Sequence, residues 1–372
     1  MTGVLAGKRI GLLSTWASRR NGGVFEAVVA QASLLQRLGA SPIVFALAQR
    51  DSDEDLRRFG DLPVVLVRQG GPALLGYGPA MTRRLLEARL DCLQLHGIWQ
   101  LVSAAGANWA RRTGKPYLIS PHGMLDPWIL SHGRLKKAAA RLVYERRSWR
   151  AARLFHALTA REAGDIAAAT GRDNVTVIPN SAPPADQAQI SARAAEIAYL
   201  GRIHPKKNLL ALVAAWDSLG AKLPPEARLT IAGWGEPGDV AALEARLVGV
   251  RNARFIGPVF GKAKRDLLHR ARFTVLPSLS EGLPMAMLES WAASCPTLMS
   301  EACNLPEGFA AGAALDCGTG VASIATAIEL ALALPDEDLR RMADAAQHLA
   351  ATRFGAATVA QAWAAAYAGV LA

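Results

Sequence analysis

Short apolar runs and longer mixed stretches alternate along the chain. The runs KRIGLLS, PIVFAL, VVLV, CLQLHGI, PYLIS, LFHAL and VTVIPN are β-branched or leucine-rich and predict buried strands. Between most of them, stretches 23–38, 79–90, 103–113, 134–150 and 160–169 carry helical spacing. A strand–helix–strand rhythm implies a parallel sheet covered by helices. The rhythm pauses at 181–195, SAPPADQAQISARAA, which has adjacent prolines and no strand pattern and reads as a linker. A second series follows: EIAYLGRI, RLTIAGWG, ARFIGPV, RFTVLPS, PTLMS and AALD, with helical stretches at 208–219, 239–249, 263–271 and 284–294. Three more helical stretches close the chain near 320–333, 336–352 and 356–370. The expected fold class is α/β, with two doubly wound Rossmann-like domains facing a cleft and ligands outside the carboxyl ends of the strands.

Size agrees with two domains, since 372 residues exceed one ordinary core. No strongly apolar, charge-free stretch of membrane-spanning length stands out, and the N-terminus has no basic lead, so neither a spanning helix nor a signal peptide is expected. Cys92, Cys295, Cys303 and Cys317 form no CxxC pair and read as buried free thiols of a reducing compartment. The formal charge of +11 is uneven. Segment 134–153, RLKKAAARLVYERRSWRAAR, holds eight basic residues and one acid. As one helix it would put Leu135, Leu142 and Trp149 on a stripe, with Lys136, Lys137, Arg141, Arg147 and Arg150 over the rest. Such a segment is either a solvated face or a contact for an anionic membrane surface. Nucleic acid is not expected as a partner, because no aromatic stacking platform accompanies the basic residues.

Chemistry concentrates in the second half. In IAYLGRIHPKKNL a strand runs into Arg202, Lys206 and Lys207 before a helix, so cations stand past its carboxyl edge, where Arg202 can hold phosphate bidentately. In VLPSLSEGLPMAMLESW a strand leads through a loop into a helix beginning near Pro284. The free amides of its first turn, at Met285 and Ala286 with Leu283 nearby, suit a phosphate. Glu289 lies one turn after Met285, and a buried carboxylate there needs donors. The vicinal hydroxyls of a ribose supply two. Glu281, in the loop ahead of the helix, can accept from sugar hydroxyls. The alternative is that both glutamates pair with local Arg or Lys residues and only stabilise the fold. DSD at 51–53 has a metal-binding form but lies in a polar run far from these motifs, and no His or Cys spacing suggests a metal site.

GRIHPKKN, IAGWGE, FIGPV and SEGLPMAMLESWAASCPT together resemble the donor-domain motifs of the family 4 retaining glycosyltransferases, which have the two-domain GT-B fold. The E-x7-E spacing of Glu281 and Glu289 is that family's signature. NGGV at 21–24, HGIWQ at 96–100 and SPHGMLDPW at 120–128 resemble members that build bacterial surface polysaccharides. The resemblance implies that Arg202 and Lys207 hold a donor diphosphate, Glu289 the ribose and Glu281 the sugar, with the backbone near Val259 contacting the base. It implies that Gly22 and Gly23 form a glycine loop admitting diphosphate or acceptor, and that His122 faces the transferred sugar. His96 shares the strand-end placement, and Asp126 and Trp128 are candidates for the acceptor side. The chain departs from the family where Leu283-Pro284-Met285 replaces an aromatic-Gly-Leu run, which leaves fewer amides for phosphate.

The expected organisation is an acceptor-binding domain over 1–180, the linker 181–195, a donor-binding domain over 196–354, and a helix at 355–372 crossing back to the first domain. The expected reaction transfers a sugar from a nucleotide-diphosphate co-substrate to a hydroxyl of a glycan or lipid-linked acceptor, with retention and with no cofactor or metal. The expected location is the cytoplasmic face of the inner membrane. A nucleotide-sugar epimerase and a non-catalytic nucleotide-sugar-binding protein remain as alternatives.

Overall fold

The computed structural model describes residues 3, 5–49, 53–185 and 193–372. Asp51 and Ser52 of the DSD run, and 186–192 of the linker, lie outside the described residues. The chain divides into two compact units, Met1–Pro179 with Ala360–Ala372, and Asn180–Val359.

Unit 1 holds β1 (Arg9–Trp16), β2 (Ser41–Leu47), β3 (Val64–Val67), β4 (Cys92–His96), β5 (Tyr117–Ser120), β6 (Leu154–Ala157) and β7 (Val175–Val177). They form one sheet in the order β3-β2-β1-β4-β5-β6-β7, with every pair parallel. Unit 2 holds β8 (Glu196–Ile203), β9 (Arg228–Gly235), β10 (Ala253–Phe255), β11 (Phe273–Leu276), β12 (Thr297–Met299) and β13 (Ala314–Asp316), ordered β10-β9-β8-β11-β12-β13 and again parallel. Helices cover both faces of such sheets, which is why every residue of β4, β5 and β11 is buried and why these strands read as continuous apolar runs. Strand order reverses between β1 and β4 in unit 1 and between β8 and β11 in unit 2. The loops leaving those strands diverge and open a crevice in each sheet.

The basic segment departs from the sequence expectation. It is not one helix but Arg134–Ala140, a π-helical turn Arg141–Glu145, and Arg146–Ala151. A π turn holds more residues than an α turn, so the stripe slips by part of a turn. Leu135 and Leu142 are 88% and 65% exposed, whereas Trp149 is 3% exposed. The buried face is instead Ala140, Glu145, Ser148 and Trp149.

A second departure concerns membrane-spanning length. The stretch Asp336–Leu371 is long and apolar enough to cross a membrane by length and composition. Its closing helix, Ala356–Leu371, has small residues on most positions and large ones on one stripe. Val359, Trp363, Tyr367 and Val370 on that stripe are all buried, as in the core helix of a globular domain. This helix starts in unit 2 and ends in unit 1.

The tail of the linker is pinned by an arginine. Arg193 donates to the carbonyls of Leu268, His269 and Ala271 at 2.7–3.1 Å, and to those of Ala293 and Ser294 at 3.0 and 2.8 Å. These are orphan carbonyls at the ends of helices Gly261–Arg270 and Met285–Ala292. One guanidinium satisfies both ends and opposes both negative dipoles. Arg193→Ala is therefore expected to destabilise unit 2 by about 3 kcal/mol, read as a lower denaturant midpoint at unchanged slope.

Candidate active site

At the crevice of unit 2, three loops are knitted together. Lys207, in the 3₁₀ turn Pro205–Lys207 after β8, donates to Glu281 Oε1 at 2.5 Å. The two side chains are 13% and 6% exposed. Ser278 Oγ donates to the same carboxylate oxygen at 2.6 Å. The loop after β11 is tied by Leu279 N donating to Lys206 O at 2.8 Å, and by Asn208 Nδ2 donating to Pro277 O at 3.2 Å. It is tied to the turn after β12 by Glu281 N donating to Ala302 O, and by Asn304 Nδ2 donating to Glu281 O. Asn208 and Asn304 both take left-handed backbone at φ near 60°, which Asn tolerates better than most residues.

The helix after this loop is Met285–Ala292, and Pro284 occupies its N-cap. Proline therefore removes no amide from the first helical turn. The amides of Met285 and Ala286 find no backbone acceptor among the described residues, and that of Met287 reaches Pro284 O at 3.1 Å. Leu283 is buried at 7%, so only its backbone is available to a ligand, while Met285 is half-buried. Glu289, one turn on, is half-buried and accepts from Lys264 Nζ on Oε1 at 2.8 Å, leaving Oε2 open. Arg202 is exposed and forms no ion pair among the described residues. Val259 and Ala286 pack against one apolar cluster that includes Ala198, Leu200 and Ala232, which places the chain after β10 beside the start of this helix. Trp234 and Phe260, both exposed, lie with ring centroids 6.2 Å apart.

At the crevice of unit 1, the loop after β1 reaches Gly22, whose φ of 60° and ψ of −136° suit only glycine, and Gly23 starts the helix Gly23–Arg37. A Cβ at either would meet nothing within 4 Å, so nothing in the fold crowds the helix start. His96 ends β4 and His122 follows β5. His96 Nδ1 and His122 Nε2 are 3.0 Å apart and the rings stack at 5.2 Å. His122 takes φ 56°, a strained value for a non-glycine residue. Buried Nε2 of His96 has no partner among the described residues. An orphaned acceptor costs less than an orphaned N–H, so His96 carries its hydrogen on Nδ1 and donates it to His122 Nε2. The hydrogen of His122 is then on Nδ1.

Asp126 has a structural task. Its carboxylate caps the short helix Pro127–Ser131 by accepting from Trp128 N at 2.7 Å, and the residue is 7% exposed. Trp128 is half-buried and packs on His132 with centroids 4.3 Å apart.

Several site residues have only a weak signal in the sequence. Glu145 Oε1 accepts from Trp99 N at 2.5 Å and Ser103 Oγ at 2.9 Å, and so holds the loop after His96. Glu162 accepts from Gly123 N at 2.6 Å and Leu158 N at 2.7 Å, and so holds the loop after His122. Both are acids inside segments that read as ordinary amphipathic helices. His156 lies inside β6, one residue before its end, and carries no motif of its own. Lys264, the partner of Glu289, sits in a helix with no motif of its own.

His156 closes a directional chain of hydrogen bonds. The Ile178 carbonyl can only accept, so His156 Nε2 carries the hydrogen, at 2.7 Å. His156 Nδ1 then accepts from Ser120 Oγ at 3.0 Å, and Ser120 accepts from Gln94 Nε2 at 2.8 Å. Gln94 Oε1 accepts from the Tyr367 hydroxyl, which accepts from Gln31 Nε2 at 3.3 Å. Burial pushes His156 down from 6.5 to about 4 and His122 down to about 3, and pushes His96 well below its usual range. All three are neutral in the fold, whereas the unfolded chain takes up their protons below pH 6.5. Their stabilisation is complete above that pH and is lost as pH falls, down to about 4 for His156 and about 3 for His122. Burial pushes Glu145 the other way, up from 4.5 to about 7, and raises Glu162, so these acids offset part of the slope. His156→Gln is expected to flatten the loss of stability between pH 6.5 and 4 by about 3 kcal/mol, measured by urea unfolding across that range.

Two family descriptions match the chain in order: a glycosyl transferase 4-like domain over residues 22–181, and glycosyl transferases group 1 over residues 194–351. Glycogen synthase of Mycobacterium tuberculosis is 35% identical over 158 residues, which are 42% of this chain and 38% of that protein. The match thus spans well under half the length of this curated relative. Among solved structures, Anabaena HepE in complex with UDP has a TM-score of 0.79 at 18% identity, covering 97% of this chain and 100% of that one. WaaG, a glycosyltransferase involved in lipopolysaccharide biosynthesis, has a TM-score of 0.70 at 16% identity over 95% and 98% of the two chains. With glycosyltransferase matches to both halves and a shared fold along nearly its whole length, the chain belongs to the glycosyltransferases of GT-B fold.

Proposed function

We propose that the protein moves a sugar from a nucleotide-diphosphate donor to a hydroxyl of a glycan acceptor, with retention of configuration. The observation that carries this reading is the grouping at the unit 2 crevice. Glu281, Lys207, the free amides of Met285 and Ala286, and Glu289 are all on loops leaving β8 and β11 or on the helix that follows. Arg202 and the helix amides take the diphosphate, joined by Lys207 as the sugar hydroxyls compete for Glu281. Oε2 of Glu289 takes the ribose hydroxyls. Val259 packs on the cluster that Ala286 also touches, and the exposed Trp234–Phe260 pair gives the base an apolar face.

Retention through a covalent intermediate needs a free carboxylate beside the bond. Glu281 is held by Lys207 and Ser278, so we favour departure of the diphosphate and attack of the hydroxyl on one face. The charge developing on the leaving group is met by fixed cations and amides rather than a metal. His122, neutral and with its Nδ1 hydrogen fixed by His96, donates a hydrogen bond to the sugar or acceptor.

Because Anabaena HepE binds UDP and UDP-glucose, UDP is the first nucleotide to test against GDP and ADP. Lys207→Ala would strand the Glu281 charge and mix folding with function. Exposed Arg202 is the cleaner site. Arg202→Ala is expected to keep the melting temperature, abolish the thermal shift given by the preferred nucleotide, and lower turnover by about tenfold or more. Turnover within about twofold of wild type would remove Arg202 from the diphosphate site. Product analysis with donor alone separates transfer from epimerisation, since an epimerase converts the donor without acceptor.

We further propose a lipid-linked acceptor, a role in surface polysaccharide or lipopolysaccharide synthesis, and peripheral attachment to the cytoplasmic face of the inner membrane. Exposed Leu135, Leu142 and Val143 interleaved with basic residues support this reading. Flotation with anionic vesicles at low salt should carry the protein upward, and failure to float would count against attachment.

A further inference from the structure

A broad groove of about 1260 Å³ opens on unit 1 away from the strand ends that carry His96 and His122. Its lining includes Lys115 at the approach to β5, Arg153 just before β6, and Arg172 just before β7. It therefore lies at the amino edge of the sheet, opposite the candidate active site. Arg111 reaches it from the end of helix Val102–Thr113, and Arg147 and Arg150 from Arg146–Ala151. Among the described residues no Asp or Glu side chain lines it, although the chain has 31 of them. A smaller hollow of about 270 Å³ shares Arg150 and Arg172, adds Arg141 and Arg146, and again has no acidic side chain.

Several of these cations are fixed in place. Arg172 donates to Asn174 Oδ1 at 3.1 Å and to Ala152 O at 3.2 Å, and Lys115 to Leu90 O at 2.6 Å. Lys115 is also 3.5 Å from Asp91, so part of its charge is answered. Arg147, Arg150 and Arg153 are exposed and make no ion pair among the described residues. Helices end at this edge, and each contributes about half a negative charge. That offsets only a fraction of six cations, and like charges one helical turn apart repel.

We propose that this groove is a second binding site, for a diphosphate-class group, separate from the donor site. Planar guanidinium groups converging from a helix, a strand approach and a loop suit several phosphate oxygens at once. The group could be part of a lipid headgroup or of a soluble phosphorylated compound. The site stands on its own lining, whether or not the protein attaches to a membrane.

The test uses the full chain carrying Arg202→Ala, so that the donor site is weakened, and titrates it calorimetrically with inorganic pyrophosphate at low salt. Binding is expected, and adding Arg150→Gln with Arg153→Gln should weaken it by about tenfold or more. An affinity changed by less than about twofold would overturn the proposal. Should that variant fail to fold, Arg147→Gln alone must show the loss. Phosphatidylcholine vesicles containing phosphatidic acid identify the source. Vesicle binding that pyrophosphate displaces and the same substitutions remove points to a lipid headgroup, and pyrophosphate binding without it points to a soluble ligand. Binding of an oligonucleotide with none of pyrophosphate would also overturn the proposal.

Discussion

The contact between Lys207 and Glu281 sets the geometry of the unit 2 crevice. Each charge is nearly out of water, and neither is tolerable there alone. Their pairing draws the loop after β8 onto the loop after β11 at the point where strand order reverses. Leu279, Asn208 and Asn304 then have their backbone partners within reach. The start of helix Met285–Ala292 is aimed by the same loop, and its far end is held by Arg193. The loop and helix start proposed to take the diphosphate thus lie between two clamps. The first clamp carries a cation whose carboxylate partner also accepts from Ser278.

Much of this was legible in the sequence. Parallel strands buried on both faces are short and apolar throughout, so CLQLHGI, PYLIS and RFTVLPS contain the fully buried strands β4, β5 and β11. The spacing of Glu281 and Glu289 placed one before a helix and one within it, as found. What the sequence hid was pairing at a distance. Nothing near Glu289 points to Lys264, and nothing near Trp99 points to Glu145. Of the two readings of the glutamates, local ion pairing is what the fold displays, and ligand binding by the same carboxylates is the proposal that builds on it.

The basic segment shows the opposite failure. A helical wheel assumes that every turn has the same residue count, and one π turn is enough to separate Leu142 from Trp149. The turn is explained by what it buries. Glu145 must reach Trp99 N and Ser103 Oγ, and an uninterrupted α-helix would have put Leu142 or Val143 closer to that face.

The hydrogen-bond chain from Gln31 through Tyr367, Gln94, Ser120 and His156 to the Ile178 carbonyl has a polarity. Each donor is assigned by the neighbour after it, back from a carbonyl that can never donate. Five side chains, drawn from three strands and two helices, therefore form one directional unit. A Phe at 367 or an Ala at 120 would not merely delete a contact but leave two partners facing each other with no one to answer. Such a row of bonds holds or fails as a whole, and it fastens the last helix of the chain to β4, β5 and β6.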